Sequence, residues 1–275
     1  MTICIAATCK HKGKDAVVLC ADYQGTRGDY IKADDTYKFW HFYEGCGAIG
    51  WAGDADSAIE FVRRFMAVAK QFHALDKTHG QQDADIRVGE YLKLVRNFVA
   101  EIKRERIDAA VRNKFGISLQ EYYALDVAKR EPDIREAIKS ADLNAEFLVV
   151  YFDLDEPLFI RIEQDGYAFV DDDDYVAIGS GEPLAAAIFS QVEKEVQNLQ
   201  ECMTWVYQAK LAAQNNPFVG TKTVMWVLLG DRDELLPSDK AWEILEKTPG
   251  ISLAKVDPKL AKLGDKILKE YQEPE

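Results

Sequence analysis

The residues that point most directly to chemistry stand at the beginning of the chain. Thr2 follows Met1, and a side chain as small as that of threonine generally lets an aminopeptidase remove the methionine. Thr2 would then be the first residue. It would carry a hydroxyl nucleophile and, as its own base, a terminal amine with a pKa near ~8. Many proteins begin with Met-Thr, so this pair indicates catalysis only if the rest of the chain supports it.

Four other residues could assist such a nucleophile, because each stands at an end of a predicted strand: Asp22, Lys38, Gly53 and Ser180. A lysine buried beside the hydroxyl would stabilise the developing alkoxide and lower the pKa of the neighbouring amine. Asp22 would hold that ammonium and offset the cost of its burial. The backbone N–H of Gly53 could approach an oxyanion closely, and Ser180 could orient the amine or a water.

Simpler interpretations of the same residues stay open. Asp22 and Lys38 could form an ordinary surface pair. Gly179-Ser180-Gly181 stands ahead of a predicted helix, so it could be a phosphate-binding turn or merely a tight turn.

Composition restricts the class of protein. With 275 residues, 48% hydrophobic and 29% charged, the chain fits one domain over 1–275 that carries a sizeable insertion. The net charge of −13 makes nucleic acids and anionic membranes poor partners. No apolar run approaches ~20 residues and no basic segment precedes a long apolar one, so we expect neither a membrane span nor a signal peptide.

The cysteines and histidines predict neither a metal centre nor a histidine-based triad. The five cysteines are an odd number without CxxC spacing, which indicates reduced thiols in a cytoplasmic protein. The four histidines show no HxxxH or HExxH spacing. We therefore expect no metal and no cofactor, and a hydrolase would need an amine or a carboxylate as its base.

The elements that must position these residues follow an α+β pattern. Apolar runs at 2–9 and 16–22 flank a polar turn and predict a β-hairpin, which opens an antiparallel meander of about fifty residues. Two helices, further strands, two more helices and a last strand at 223–229 follow. This order predicts two antiparallel sheets packed face to face, with helices on both outer sides.

Two segments lie outside this pattern. The charged segment of about 104–143 continues in helical periodicity, with Ser118 and Glu121 as a capping box, and we interpret it as a helical insertion. The polar, helical pattern of the last residues, about 236–275, predicts a C-terminal helical extension.

In combination, these segments resemble a β-type subunit of the proteasome family, including the bacterial ring proteases of that family. The resemblance covers roughly residues 2–75 and 145–230. The matching pieces are the Thr2 strand, Val18-Leu19-Cys20-Ala21-Asp22 with Thr26 and Gly28, Lys38 after Asp34-Asp35, Trp51-Ala52-Gly53-Asp54-Ala55-Asp56, and Ala177-Ile178-Gly179-Ser180-Gly181-Glu182-Pro183.

The resemblance implies the N-terminal nucleophile hydrolase fold, a four-layer αββα sandwich. It implies peptide-bond cleavage by Thr2, supported by Lys38 and Asp22, with Ser180 near the terminal amine and Gly53 at the oxyanion.

It also implies that the substrate backbone binds as an added strand along the loop of Gly25 and Thr26, and at Gly53. Trp51 and Trp40 would narrow the pocket for the substrate residue before the scissile bond, or would simply be sheet core. The assembly implied is a homo-oligomeric ring or stacked rings enclosing a chamber for peptides or unfolded proteins. No Walker motif is present, so an ATP-dependent unfoldase would be a separate chain.

Two positions depart from the family pattern. Asn216 and Val219 stand where the family has an aspartate and a serine, so part of the usual support of the amine is missing. Three functions therefore remain open: a threonine-type endopeptidase, a catalytically silent scaffold ring, and an amidase or transpeptidase that uses the same nucleophile on a non-protein amide.

Overall fold

The computed structural model describes residues 2–22, 25–27, 31–33, 38–42, 47–79, 83–126, 134, 141–191, 198–230, 234–236 and 241. For 25–27, 31–33, 73, 76–79 and 234–236 it describes the backbone alone.

Groups of strands and groups of helices follow one another along the chain in the predicted order. The strands are β1 (Cys4–His11), β2 (Lys14–Asp22), β3 (Gly25–Arg27), β4 (Ile31–Ala33), β5 (Phe39–Phe42), β6 (Gly47–Gly53), β7 (Ala145–Asp153), β8 (Glu156–Ile162), β9 (Ala168–Asp171), β10 (Tyr175–Ile178), β11 (Thr223–Leu229) and β12 (Glu234–Leu236). The helices are α1 (Ala55–His79), α2 (Ala84–Phe115), α3 (Leu119–Ala124), α4 (Glu182–Phe189) and α5 (Leu199–Ala213).

The strands form two antiparallel five-stranded sheets and one two-stranded sheet. The first sheet has the order β10-β1-β2-β11-β12, the second β5-β6-β7-β8-β9, and β3 pairs with β4 alone. The early strands therefore do not form the single meander predicted from sequence, because β2 pairs with β11 and not with β3. The position of β2 inside the sheet agrees with its burial, because its residues from Ala16 to Asp22 are all buried.

Apolar side chains alternate between the faces of the first sheet and so define the layers. Cys4 and Ala6 point into a core between the two sheets, whereas Ile3 and Ile5 face α4 and α5. A third core lies between the second sheet and the helices α1 and α2. The arrangement is the four-layer αββα sandwich that the sequence predicted.

The helical segment after residue 104 begins as an uninterrupted continuation of α2. This helix ends at Phe115, and the capping residue Gly116 adopts a left-handed conformation with φ of 72°. The capping box of Ser118 and Glu121 is confirmed and starts α3. Val111 and Tyr122 form a small apolar cluster of their own. The remainder of the expected insertion, apart from 134 and 141–143, lies outside the described residues, as does the C-terminal extension apart from 236 and 241.

A buried ion pair ties α2 to the end of β7. The Arg87 guanidinium donates to both carboxylate oxygens of Asp153 at 2.9–3.2 Å, and the Tyr91 hydroxyl donates to the same carboxylate at 3.1 Å. Asp153→Ala leaves the guanidinium buried without its carboxylate. We expect it to lower the free energy of unfolding by about 3–5 kcal/mol in chemical denaturation.

The matched control is the bidentate but exposed pair of Arg64 and Glu105 on α1 and α2. Because solvent screens that pair, Glu105→Ala should cost less than about 1 kcal/mol. Equal losses in the two variants would contradict the role assigned to Asp153.

Candidate active site

The hairpin of β1 and β2 brings Thr2 and Asp22 together. Cys4 lies opposite Ala21 in the register, so the residues that precede β1 reach the last residue of β2. The Thr2 hydroxyl, which is fully buried, donates a hydrogen bond to Oδ1 of Asp22. The backbone N–H of Ile3 donates to the same oxygen at 3.3 Å. A hydroxyl and a carboxylate twenty positions apart are thus in direct contact.

The second oxygen of Asp22 is also engaged. Oδ2 accepts the backbone N–H of Gly220 at 2.7 Å, which ties the carboxylate to the turn before β11. Burial raises the pKa of Asp22 to about 6, against the opposing effects of the Lys38 charge and of the backbone donors Gly220 and Ile3. Burial therefore makes the charged form of Asp22 less favourable than it is in water.

Lys38, immediately before β5, is a buried cation held by an aromatic face. Its side chain is 1% exposed, and its Nζ lies 3.6 Å from the ring centroid of Trp51. Within the described part of the chain the ammonium makes no hydrogen bond, so the direct Asp22–Lys38 contact expected from sequence is not formed. Burial lowers the pKa of Lys38 to about 8, and the nearby charge of Asp22 opposes this shift.

The turn between β10 and α4 lies against the backbone of Thr2. Gly179 has φ of +99°, and a Cβ there would lie 2.3 Å from the Thr2 carbonyl oxygen, so only glycine fits. The Ser180 hydroxyl donates to that carbonyl at 3.5 Å. The Gly179 N–H donates to the carboxylate of Glu146 at 2.9 Å, and this negative charge disfavours the alternative of a phosphate-binding turn.

Gly53 ends β6 with φ of +131°, and a Cβ there would lie 2.5 Å from the carbonyl oxygen of Asn144. Glycine is therefore required at this position. The methyl group of the preceding Ala52 would lie 2.9 Å from a Cβ on Gly179. The end of β6 thus adjoins the turn that contacts Thr2.

Asn216 and Val219 occupy the loop between α5 and β11. The Asn216 amide donates to the carbonyl oxygen of Ser180 at 2.6 Å, a contact that an ionised aspartate could not make. Val219 is 5% exposed and packs in the core beneath α4 and α5. Both residues therefore support the shape of the site, but they supply neither an acid nor a hydroxyl.

The remaining predicted site residues lie in the core under α1 or in the small sheet of β3 and β4. Trp51 is fully buried in the core under α1, and Trp40 is partly buried against the same core. Gly25 and Thr26 lie in β3, opposite Ala33 and Lys32 of β4, and the Thr26 side chain lies outside what the structure describes.

The sequence analysis did not identify two residues that contact the turns around Thr2 and Asp22. Glu146, on β7, accepts the Gly179 N–H, and Lys210, on α5, is a fully buried lysine that contacts the 220–221 turn. Lys210 lies on the stripe of Cys202, Met203, Val206 and Ala213, so a lysine within an apolar helical stripe was an available signal.

Neither a metal cluster nor a membrane-spanning helix is found in the described ranges. No group of three or more histidine, cysteine, aspartate or glutamate residues among them could hold a metal ion. None of the helices there combines the length and apolar character that crossing a bilayer requires.

Comparison with known proteins identifies the fold. No protein-family model matches the chain, and neither does any of the curated proteins compared with it. Among solved structures, it is similar to the crystal structure of eukaryotic HslV from Trypanosoma brucei, with 18% sequence identity and a TM-score of 0.51. The match covers 82% of this chain and 99% of that one. This likeness confirms the fold, two antiparallel sheets packed between layers of helices.

Proposed function

We propose that the protein is a threonine-type endopeptidase whose nucleophile is the hydroxyl of Thr2. The observation that carries this proposal is the hydrogen bond from the buried Thr2 hydroxyl to Asp22, a carboxylate that the charge of the buried Lys38 stabilises. The fold similarity to an HslV supports the same class of reaction.

The proposed reaction begins after removal of Met1. While Met1 is present, the nitrogen of Thr2 is an amide and cannot accept a proton. The free amine takes the hydroxyl proton while the oxygen attacks the substrate carbonyl, and the positive charge of Lys38 stabilises the alkoxide. Asp22 orients the hydroxyl, and the N–H of Gly53 stabilises the oxyanion. The amine then protonates the leaving nitrogen, and water hydrolyses the acyl-enzyme.

Ser180 and Asn216 support the backbone around the nucleophile in this proposal. Ser180 contacts the Thr2 carbonyl, and Asn216 fixes the carbonyl of Ser180. The substrate backbone adds as a strand beside Gly25 and Thr26. Trp51 fills the space under Lys38 and so favours small substrate residues before the scissile bond.

The proposed assembly is a homo-oligomeric ring or stacked rings in the cytoplasm, acting on peptides or unfolded proteins. Any ATP-dependent unfoldase is a separate chain. The alternative of a silent scaffold ring draws on Asn216, which supplies no carboxylate.

The shifted pKa values of the two buried charges predict a bell-shaped pH dependence. Activity should rise as pH passes about 6, because ionised Asp22 accepts the hydroxyl hydrogen bond. It should fall as pH passes about 8, because Lys38 loses its positive charge. We expect a maximum of kcat/KM at a pH of about 7. A rate that falls neither below pH 6 nor above pH 8 would contradict the assignment of both groups.

Turnover of a peptide library, together with the intact mass of the N-terminus, tests the function. The proposal predicts a chain that begins at Thr2 and cleaves after small residues. A retained Met1 without turnover indicates the scaffold, whereas hydrolysis confined to non-peptide amides indicates the amidase. Strong cleavage after large aromatic residues would contradict the small pocket.

A further inference from the structure

Lys210 is a buried cation that the proposed reaction leaves without a role. Its side chain is fully buried within the apolar stripe of α5. Burial lowers the pKa of Lys210 to about 8, and the thiol of Cys20 and the carboxylate of Asp22 oppose this shift. Burying an ammonium costs several kcal/mol before its contacts are counted, so its partners should explain its presence.

Those partners are two adjacent backbone carbonyls. The Nζ of Lys210 donates to the carbonyl oxygens of Gly220 at 2.8 Å and Thr221 at 3.1 Å. The side-chain amide of Gln214 donates to the Thr221 carbonyl as well, at 3.1 Å. The ammonium therefore fixes the turn that leads from α5 into β11.

The same turn holds the carboxylate of the site. The N–H of Gly220 donates to one oxygen of Asp22, and the other oxygen accepts the Thr2 hydroxyl. A continuous chain of contacts thus runs from the Lys210 ammonium through Gly220 and Asp22 to the nucleophile.

We propose that Lys210 is a positioning residue for the candidate active site, which holds Asp22 against the Thr2 hydroxyl by fixing the Gly220–Thr221 turn. The catalytic consequence rests on the proposed function, whereas the structural coupling does not. The charged groups that act on Asp22 electrostatically are Lys38, ahead of β5, and Lys210, from α5. The neutral thiols of Cys4 and Cys20, from β1 and β2, also lie near Asp22, whose charge contributes to raising their pKa. Lys210 thus adds a second positive charge on the side of Asp22 that the turn occupies.

The test uses Lys210→Met, which keeps the length of the unbranched stem without the ammonium, and Lys210→Gln, which keeps an N–H donor without the charge. The exposed Lys70→Met on α1 is the control. We expect the loss of a fixed carboxylate to lower kcat by up to about 100-fold in the methionine variant, with KM little changed. The acid limb of its pH profile should move to higher pH, because one cation that favours ionised Asp22 is gone. Lys210→Gln should lose less activity but show the same displacement of the acid limb.

Hydrogen exchange at the Gly220 amide provides a readout that does not need activity. In the Thr2→Ala background, Lys210→Met should increase this exchange rate while exchange across β1 and β7 stays unchanged. Unaltered exchange at Gly220 would overturn the inference even if the protein is a peptidase. Failure of both variants to fold would also overturn it, since Lys210 would then be a general structural residue. Faster exchange in a protein without any turnover would uphold the coupling and reject the proposed function alone.

Discussion

Thr2→Ala should abolish peptide hydrolysis while the sandwich still forms. Alanine is small enough for Met1 to be removed, so the variant removes the hydroxyl and leaves the terminal amine. The loss of the nucleophile should lower kcat by at least about 10³-fold, to the level that binding and the oxyanion contacts alone support. Steady-state hydrolysis of a fluorogenic peptide measures this loss, and intact mass confirms that both proteins are processed alike.

Thr2→Ser is the matched variant, because it keeps the hydroxyl and the hydrogen bond to Asp22. We expect it to retain measurable turnover, with a lower rate because serine lacks the methyl group that restricts the threonine rotamer. If Thr2→Ala keeps its activity, the N-terminal nucleophile mechanism is wrong, whatever the fold.

Lys38→Met should produce the second largest effect. Methionine matches the length of the lysine stem and can still pack over the Trp51 ring, but it brings no charge to the alkoxide. Removing a preorganised electrostatic group of this kind should lower kcat/KM by about 10²–10³-fold. The pKa of Asp22 should also rise, since the Lys38 charge is the main interaction that opposes its burial.

Lys70→Met on the exposed side of α1 controls for the loss of one lysine from a chain of net charge −13. It should leave both the rate and the pH profile unchanged. An alkaline limb near pH 8 that persists in Lys38→Met would assign that limb to another group, and Lys210, whose pKa is also about 8, would be the first to test.

Local patterns in the sequence were sufficient for the layers of sheets and helices and for the β1–β2 hairpin. Alternating apolar runs around a polar turn define the hairpin, and its register alone brings Thr2 to the end of β2. Local patterns could not assign β2 to the centre of a sheet, because its partner β11 lies some two hundred positions later in the sequence.

Contacts between distant segments could not be predicted in the same way. Sequence reasoning gave Lys38 a carboxylate as partner, yet the ammonium lies over Trp51, since strand ends fix backbone positions but not the direction of a long side chain. The sequence indicated only that Asn216 stands where the family has an aspartate. Its hydrogen bond to the Ser180 carbonyl depends on a loop geometry that no spacing rule describes. Lys210 was visible as a lysine in an apolar stripe, but its carbonyl partners follow a turn beyond the helix.

The most direct test of the N-terminal nucleophile is to locate a covalent adduct. The purified protein is treated with a peptide β-lactone, which acylates reactive hydroxyls, and the modified residue is identified by tandem mass spectrometry. We expect a single ester on Thr2, in a peptide whose first residue is Thr2. An adduct on any other residue, or an unmodified protein that still carries Met1, would contradict it.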